Sequence, residues 1–120
     1  MSKELVLEAC ETSLAREPLS ADQAGELARV FKALGDPVRL RLLSLIASHE
    51  GGEACVCDLT DAFELTGPTI SHHLKVLREA GLVTSSKKGT WVMYKVDAKV
   101  LYRLSLVLAP GEAVPMGAGA

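Results

Sequence analysis

Aromatic residues are scarce in this 120-residue chain: two Phe, two Tyr and one Trp, 4% in all. Its core must therefore be aliphatic, and a hydrophobic content of 48% is enough to supply one. Cysteine is scarcer still. Three residues, an odd number, do not make a disulfide framework. No apolar run approaches the ~18–20 residues of a membrane span; the nearest, Val100–Leu108, is interrupted by Arg103. The opening residues, MSKELVLEAC, lack a basic start followed by a long apolar stretch. These absences predict a cytoplasmic protein with no membrane partner, whose thiols stay reduced and free to bind metal. Also missing are a Cys-x-x-Cys pair, a phosphate-cradling glycine loop and a plausible Ser/His/Asp set. We therefore expect neither an enzyme nor a permanent cofactor.

The net charge is only −2, which by itself argues against a nucleic-acid partner. Its distribution argues the reverse. From Pro68 to Lys95 the basic residues are Lys75, Arg78, Lys87, Lys88 and Lys95, and the one acid is Glu79. From Met1 to Val30 three basic residues face six acids. The electrostatic footprint of DNA is a local patch, not an overall sum.

At this length one domain is expected. Glu4–Ala15 reads as a short helix carrying Cys10, broken near Pro18. Ser20 with Gln23 makes a capping box, and Leu27, Val30, Phe31 and Leu34 follow at helical spacing up to Gly35. Asp36 caps a second helix with Pro37 in its first position, and leucine-rich Val38–Ser48 belongs to the core. Gly51-Gly52 is a loop. Asp58–Phe63 reads as a short helix, Glu64–Gly67 as a turn, and Thr69–Ala80 as a helix with an inward stripe of Ile70, Leu74 and Leu77. From Leu82 the period becomes two: Leu82–Thr84 and Trp91–Val96 read as strands, with Lys87–Thr90 at the turn. Asp97 caps a last helix whose face is Val100, Leu101, Leu104 and Leu108. The stretch 109–120 is small, Gly/Pro-rich and expected to be a flexible tail. No internal repeat is present.

This order defines the expected fold class: mainly α with a small β-hairpin, a winged helix-turn-helix. In such a unit the second helix of the pair enters the major groove. Thr69, Ser71, His72 and Lys75 are then the outward residues, suited to phosphates or base edges. His73 is a secondary candidate that packs or bonds to the scaffold. Lys87 and Lys88 at the wing tip suit backbone or minor groove, the plain alternative being a solvated turn. His49, at a helix end, reads as a capping or solvated histidine.

Two of the three cysteines fall in Cys55-Val56-Cys57-Asp58-Leu59, just before the helix-turn-helix. Soft thiolates select soft ions. An ion held there would pull on the element that supports the recognition helix. Residues i and i+2 lie about 200° apart around an α-helix but on one side of an extended segment. The pair must therefore be extended before the helix, or binding must unwind its first turn. A thiol at a helix N-terminus is expected to have a lowered pKa. The alternative for each cysteine is a small buried apolar residue.

FKALGDPVRLRLL (31–43), CVCDL (55–59), PTISHHLKVLREAGLV (68–83) and GTWVMYKV (89–96) together resemble the ArsR/SmtB metal-responsive repressors over about residues 20–108, and most closely the arsenical-resistance branch. The resemblance implies a homodimeric repressor of an inverted-repeat operator in double-stranded DNA, released when arsenite or antimonite binds. Cadmium, lead or zinc as inducer, or thiol oxidation, are the alternatives on the same fold. Two departures stand out. Thr60 occupies the place of the pattern's third cysteine. Asp97 is followed by Ala98 and Lys99, with no histidine after His73, so the zinc-type site of the last helix is missing. As(III) and Sb(III) prefer three thiolates, and only Cys10 remains. In resembling proteins the N-terminal segment packs at the dimer interface, which implies a site of Cys55, Cys57 and the Cys10 of a second copy. The expected organisation is thus an N-terminal dimer-contact segment (1–19), the DNA-binding domain (20–108) and the tail (109–120). Leu5, Leu7 and Leu14, with Leu101, Leu104 and Leu108, are the candidate dimer contacts, or else the chain's own core.

Overall fold

A computed structural model describes residues 17–109. The expected N-terminal helix with Cys10, Leu5, Leu7 and Leu14, and the tail beyond Ala109, lie outside the described residues. Helix α1 (Ala21–Leu34) begins at Ser20, where the capping box forms: Gln23 N–H donates to Ser20 Oγ at 3.1 Å and Ser20 N–H to Gln23 Oε1 at 2.9 Å. Helix α2 (Pro37–Ser48) is capped by Asp36, which accepts from Arg39 N–H at 3.0 Å. That bond, ahead of the nearby Arg39 and His73, holds the Asp36 carboxyl below its usual value despite some burial. A 3₁₀ turn, Glu50–Gly52, places both glycines at positive φ and leads into strand β1 (Glu53–Cys55).

Helix α3 (Val56–Asp61), recognition helix α4 (Gly67–Glu79), strands β2 (Val83–Lys88) and β3 (Trp91–Val96) and helix α5 (Ala98–Leu108) complete the order. The sheet has three antiparallel strands in the order β1-β3-β2, with Cys55 opposite Met93 and Lys88 opposite Trp91. The fold is mainly helical with a small sheet, a winged helix-turn-helix. Ile70, Leu74 and Leu77 of α4 are fully buried against Leu42, Ile46, Leu59 and Leu82, in an aliphatic core shared by α1, α2 and α5. Burial of that stripe fixes how far α4 stands out and which way it faces.

Four expectations are corrected. Helix α3 starts two residues earlier than Asp58, because Cys55 is its cap. The turn before α4 ends at Thr66, not Gly67, because the Thr66 hydroxyl caps the helix by accepting from Thr69 N–H at 3.3 Å. Lys87 and Lys88 lie in strand β2; the turn is Gly89-Thr90, with Gly89 at φ 66°, as a two-residue hairpin with glycine first requires. Strand β2 is exposed after Val83, so it carries no apolar alternation for the sequence to display. Finally, Leu104 packs into the chain's own core and Leu108 is exposed; the inward face of α5 is Val100, Leu104 and Val107.

Candidate nucleic-acid interface and thiol site

The Thr66 cap and the buried stripe leave Thr69, Ser71, His72 and Lys75 exposed on α4. Thr69 Oγ1 lies 2.8 Å from Thr66 Oγ1, which pins it at the helix entrance. Lys75 reaches Glu79 one turn on, at 3.8 Å between exposed groups, a pairing worth little in water and easily surrendered to a phosphate. His73 takes the scaffold role: it is half-buried, with Nδ1 3.3 Å from Arg39 Nη1 and 4.0 Å from Asp36 Oδ2. A guanidinium can only donate, so Nδ1 is the acceptor of the Arg39 contact.

Arg39 is the residue that sequence reasoning missed. Its Nε donates to Ala33 O at 2.6 Å and its Nη2 to Lys32 O at 3.4 Å, so one guanidinium ties the C-terminus of α1 to the recognition helix. The only signal available was a cation set among leucines just after a proline-started helix.

In the wing, Lys88 Nζ donates to Glu53 Oε1 at 2.6 Å, joining β2 to β1. This bond, with the charges of Lys88 and Lys95, outweighs desolvation and lowers the Glu53 carboxyl pKa. The link is therefore complete at neutral pH and is lost only as acid protonates Glu53 below its usual range. Lys87 is exposed.

The two described cysteines flank the first peptide units of α3. Cys55 is buried and extended (φ −75°, ψ 149°), and its Sγ accepts from Cys57 N–H at 3.3 Å. Asp58 closes the box by accepting from Cys55 N–H at 3.2 Å, and lies 3.7 Å from His49 Nε2 at the end of α2. Cys57 is exposed inside the first turn. Cys55 is thus extended while Cys57 is the second residue of a wound helical turn, so only the first half of the pair is extended ahead of the helix. The expected lowering of the Cys57 pKa is overturned. Its hydrogen bond with the Cys55 side chain, then burial and the charges of Cys55 and Asp58, push the thiol up, and a backbone bond at Asp58 only partly offsets them.

Thr60, in the place of a third cysteine, donates its hydroxyl to Cys57 O at 3.1 Å. Among the described residues no three His, Cys, Asp or Glu side chains form a metal-holding group. Cys10 lies outside the described residues. Among those residues, too, no helix is long and apolar enough to cross a membrane.

A capped recognition helix, a wing and an outward row of hydroxyl, imidazole and ammonium groups define the class: a winged helix-turn-helix DNA-binding transcriptional regulator. Residues 36–85 match the family described as "Bacterial regulatory protein, arsR family". An uncharacterized HTH-type transcriptional regulator of Methanocaldococcus jannaschii is 48% identical over 81 residues, 67% of this chain and 89% of that protein. The arsenic resistance transcriptional regulator ArsR1 of Pseudomonas putida is 51% identical over 71 residues, 59% of this chain but only 54% of that longer protein. The crystal structure of an antimony-specific transcriptional repressor is similar at a TM-score of 0.61, with 32% identity over 76% of this chain and 81% of that one. The chain belongs to the arsR family of transcriptional repressors.

Proposed function

We propose that this repressor leaves its operator when arsenite or antimonite binds the thiolates of Cys55 and Cys57, derepressing metalloid-resistance genes. The observation that carries the reading is the Cys55 cap. One thiol holds the N-terminus of α3, the other sits in its first turn, and α3 supports the recognition helix. An ion bound by both sulfurs fixes the direction of Cys55 Sγ and draws Cys57 toward it, so ligation constrains the cap and first turn that start α3. Arsenical-resistance and antimony-specific repressors among the similar proteins support a metalloid inducer; a cadmium resistance regulatory protein homolog, 35% identical, supports a divalent soft ion as the second reading. Cys10 of a second copy is the proposed third ligand, supplied by an N-terminal segment (1–19) at a homodimer interface. Tyr102, Leu106 and Leu108, exposed on α5, suit the same interface. A symmetric dimer implies an inverted-repeat operator, read by Thr69, Ser71, His72 and Lys75, with Lys87 and Lys88 of the wing on the backbone and His73 positioning α4.

Titrating the reduced protein with arsenite, followed by sulfur-ligand absorption, tests the ligand set. One ion per protomer is expected, with binding weakened at least tenfold in Cys10→Ser. Unchanged binding in that variant would remove Cys10 from the site, and tight cadmium binding without arsenite binding would make the inducer a divalent ion.

A further inference from the structure

A cleft of about 250 Å³ runs between α1 and the recognition helix, on neither the thiol site nor the outward row of α4. Arg29 and Lys32 of α1 and Arg39 of α2 line it on one side, Val76, Glu79 and Ala80 of α4 on the other. Three cations against one carboxylate make it electropositive, and Glu79 already lies 3.8 Å from Lys75, which offsets its charge. We propose that this cleft is a phosphate site, occupied by a backbone phosphate of the bound duplex where the strand passes the recognition helix.

Three observations carry the assignment. Arg29 lines the cleft as a half-buried cation whose Nε is shut away from solvent, so its stem is held in place beside the cleft. Arg39 is held rigid by Ala33 O, Lys32 O and His73 Nδ1, which use three of its five N–H donors and leave two for a ligand. The same bonds cover carbonyls at the C-terminus of α1, whose partial negative charge would otherwise oppose an anion. Position selects DNA over a free anion. Val76, Glu79 and Ala80 continue the helix that carries His72 and Lys75, and a helix lying in the major groove is flanked by phosphates along its length. Arg39 would then report phosphate contact to the recognition helix through His73.

The inference rests on DNA binding, a property of the class, and is independent of the inducer; the test contains no metal or metalloid. A fluorescent duplex, selected by the wild-type protein from a random-sequence pool, is titrated by anisotropy across a series of KCl concentrations. Neutralising one phosphate contributes a slope of about −0.9 in log K against log salt. Arg29→Gln/Lys32→Gln is expected to flatten the slope by about one unit and to weaken binding at low salt about tenfold. The charge-keeping Arg29→Lys/Lys32→Arg pair keeps the slope. Lys32→Gln alone, at an exposed position, serves if the double variant melts early, and should flatten the slope in the same direction. Calorimetry with inorganic phosphate is run beside it. An unchanged slope in the glutamine variants overturns the proposal. So does saturable phosphate binding that the double variant loses while its DNA slope stays at the wild-type value, which would make the cleft a free-anion site.

Discussion

Cys55→Ser/Cys57→Ser is expected to fold, to bind operator DNA, and to stay bound at arsenite concentrations that release the wild type. The separation of the two properties follows from the local chemistry. Cys55 is a cap whose sulfur accepts one N–H bond. Serine is among the preferred cap residues and its hydroxyl can accept the same bond, so α3 keeps its start. Cys57 is exposed, where substitutions usually change stability within about ±0.5 kcal/mol. What serine cannot do is ligate a soft metalloid as thiolate does. A coupling of about 1–3 kcal/mol between inducer and operator corresponds to roughly 5–150-fold weakening of DNA binding. In the double serine variant that ratio should fall to about one, measured as DNA affinity with and without arsenite. Continued release would place the inducer elsewhere.

The second large effect concerns stability. Leu74→Ala is expected to destabilise the protein by about 2–5 kcal/mol, the range for truncating a fully buried leucine. Leu74 is completely buried between Ile70 and Leu77, where α4 meets the core. Domains of this size are stable by only about 5–15 kcal/mol, so the melting temperature should drop by roughly 10 °C or more. Urea unfolding with an unchanged slope against denaturant would register it. A loss below about 1 kcal/mol would mean that the core does not hold the recognition helix through this residue, and the account of its orientation would fail.

Both predictions depend on features of unequal legibility. The caps at Ser20, Asp36 and Asp97 could be read because capping is decided within four residues. Ile70, Leu74 and Leu77 could be read because one helical period exposes them all. Strand β1 could not. It has three residues, and its partner, Trp91–Val96, lies some forty positions away. Cys55 as a cap was hidden because cysteine is not a usual capping residue, and missing it shifted the start of α3 and left the thiol geometry undecided. The wing's turn is shorter than Lys87–Thr90 because β2 is exposed after Val83, and Lys87 and Lys88 extend it without any apolar alternation to mark them as strand. Glu26 is the plainest failure of local reasoning: it is 2% exposed, and neither of its oxygens has a hydrogen-bond partner among the described residues. Nothing in its neighbourhood in the sequence distinguishes it from the solvated acids around it. Arg39 was equally silent, since its three partners lie on two other helices.

The most direct test of the thiol lever is one titration with two readouts. Reduced wild-type protein bound to labelled operator is titrated with arsenite while sulfur-ligand absorption and DNA anisotropy are recorded together. The two signals should change in step and saturate at one arsenite per protomer. Absorption that saturates while the anisotropy stays at its bound value would contradict the account: the cysteines would bind the metalloid without moving the helix that reads DNA.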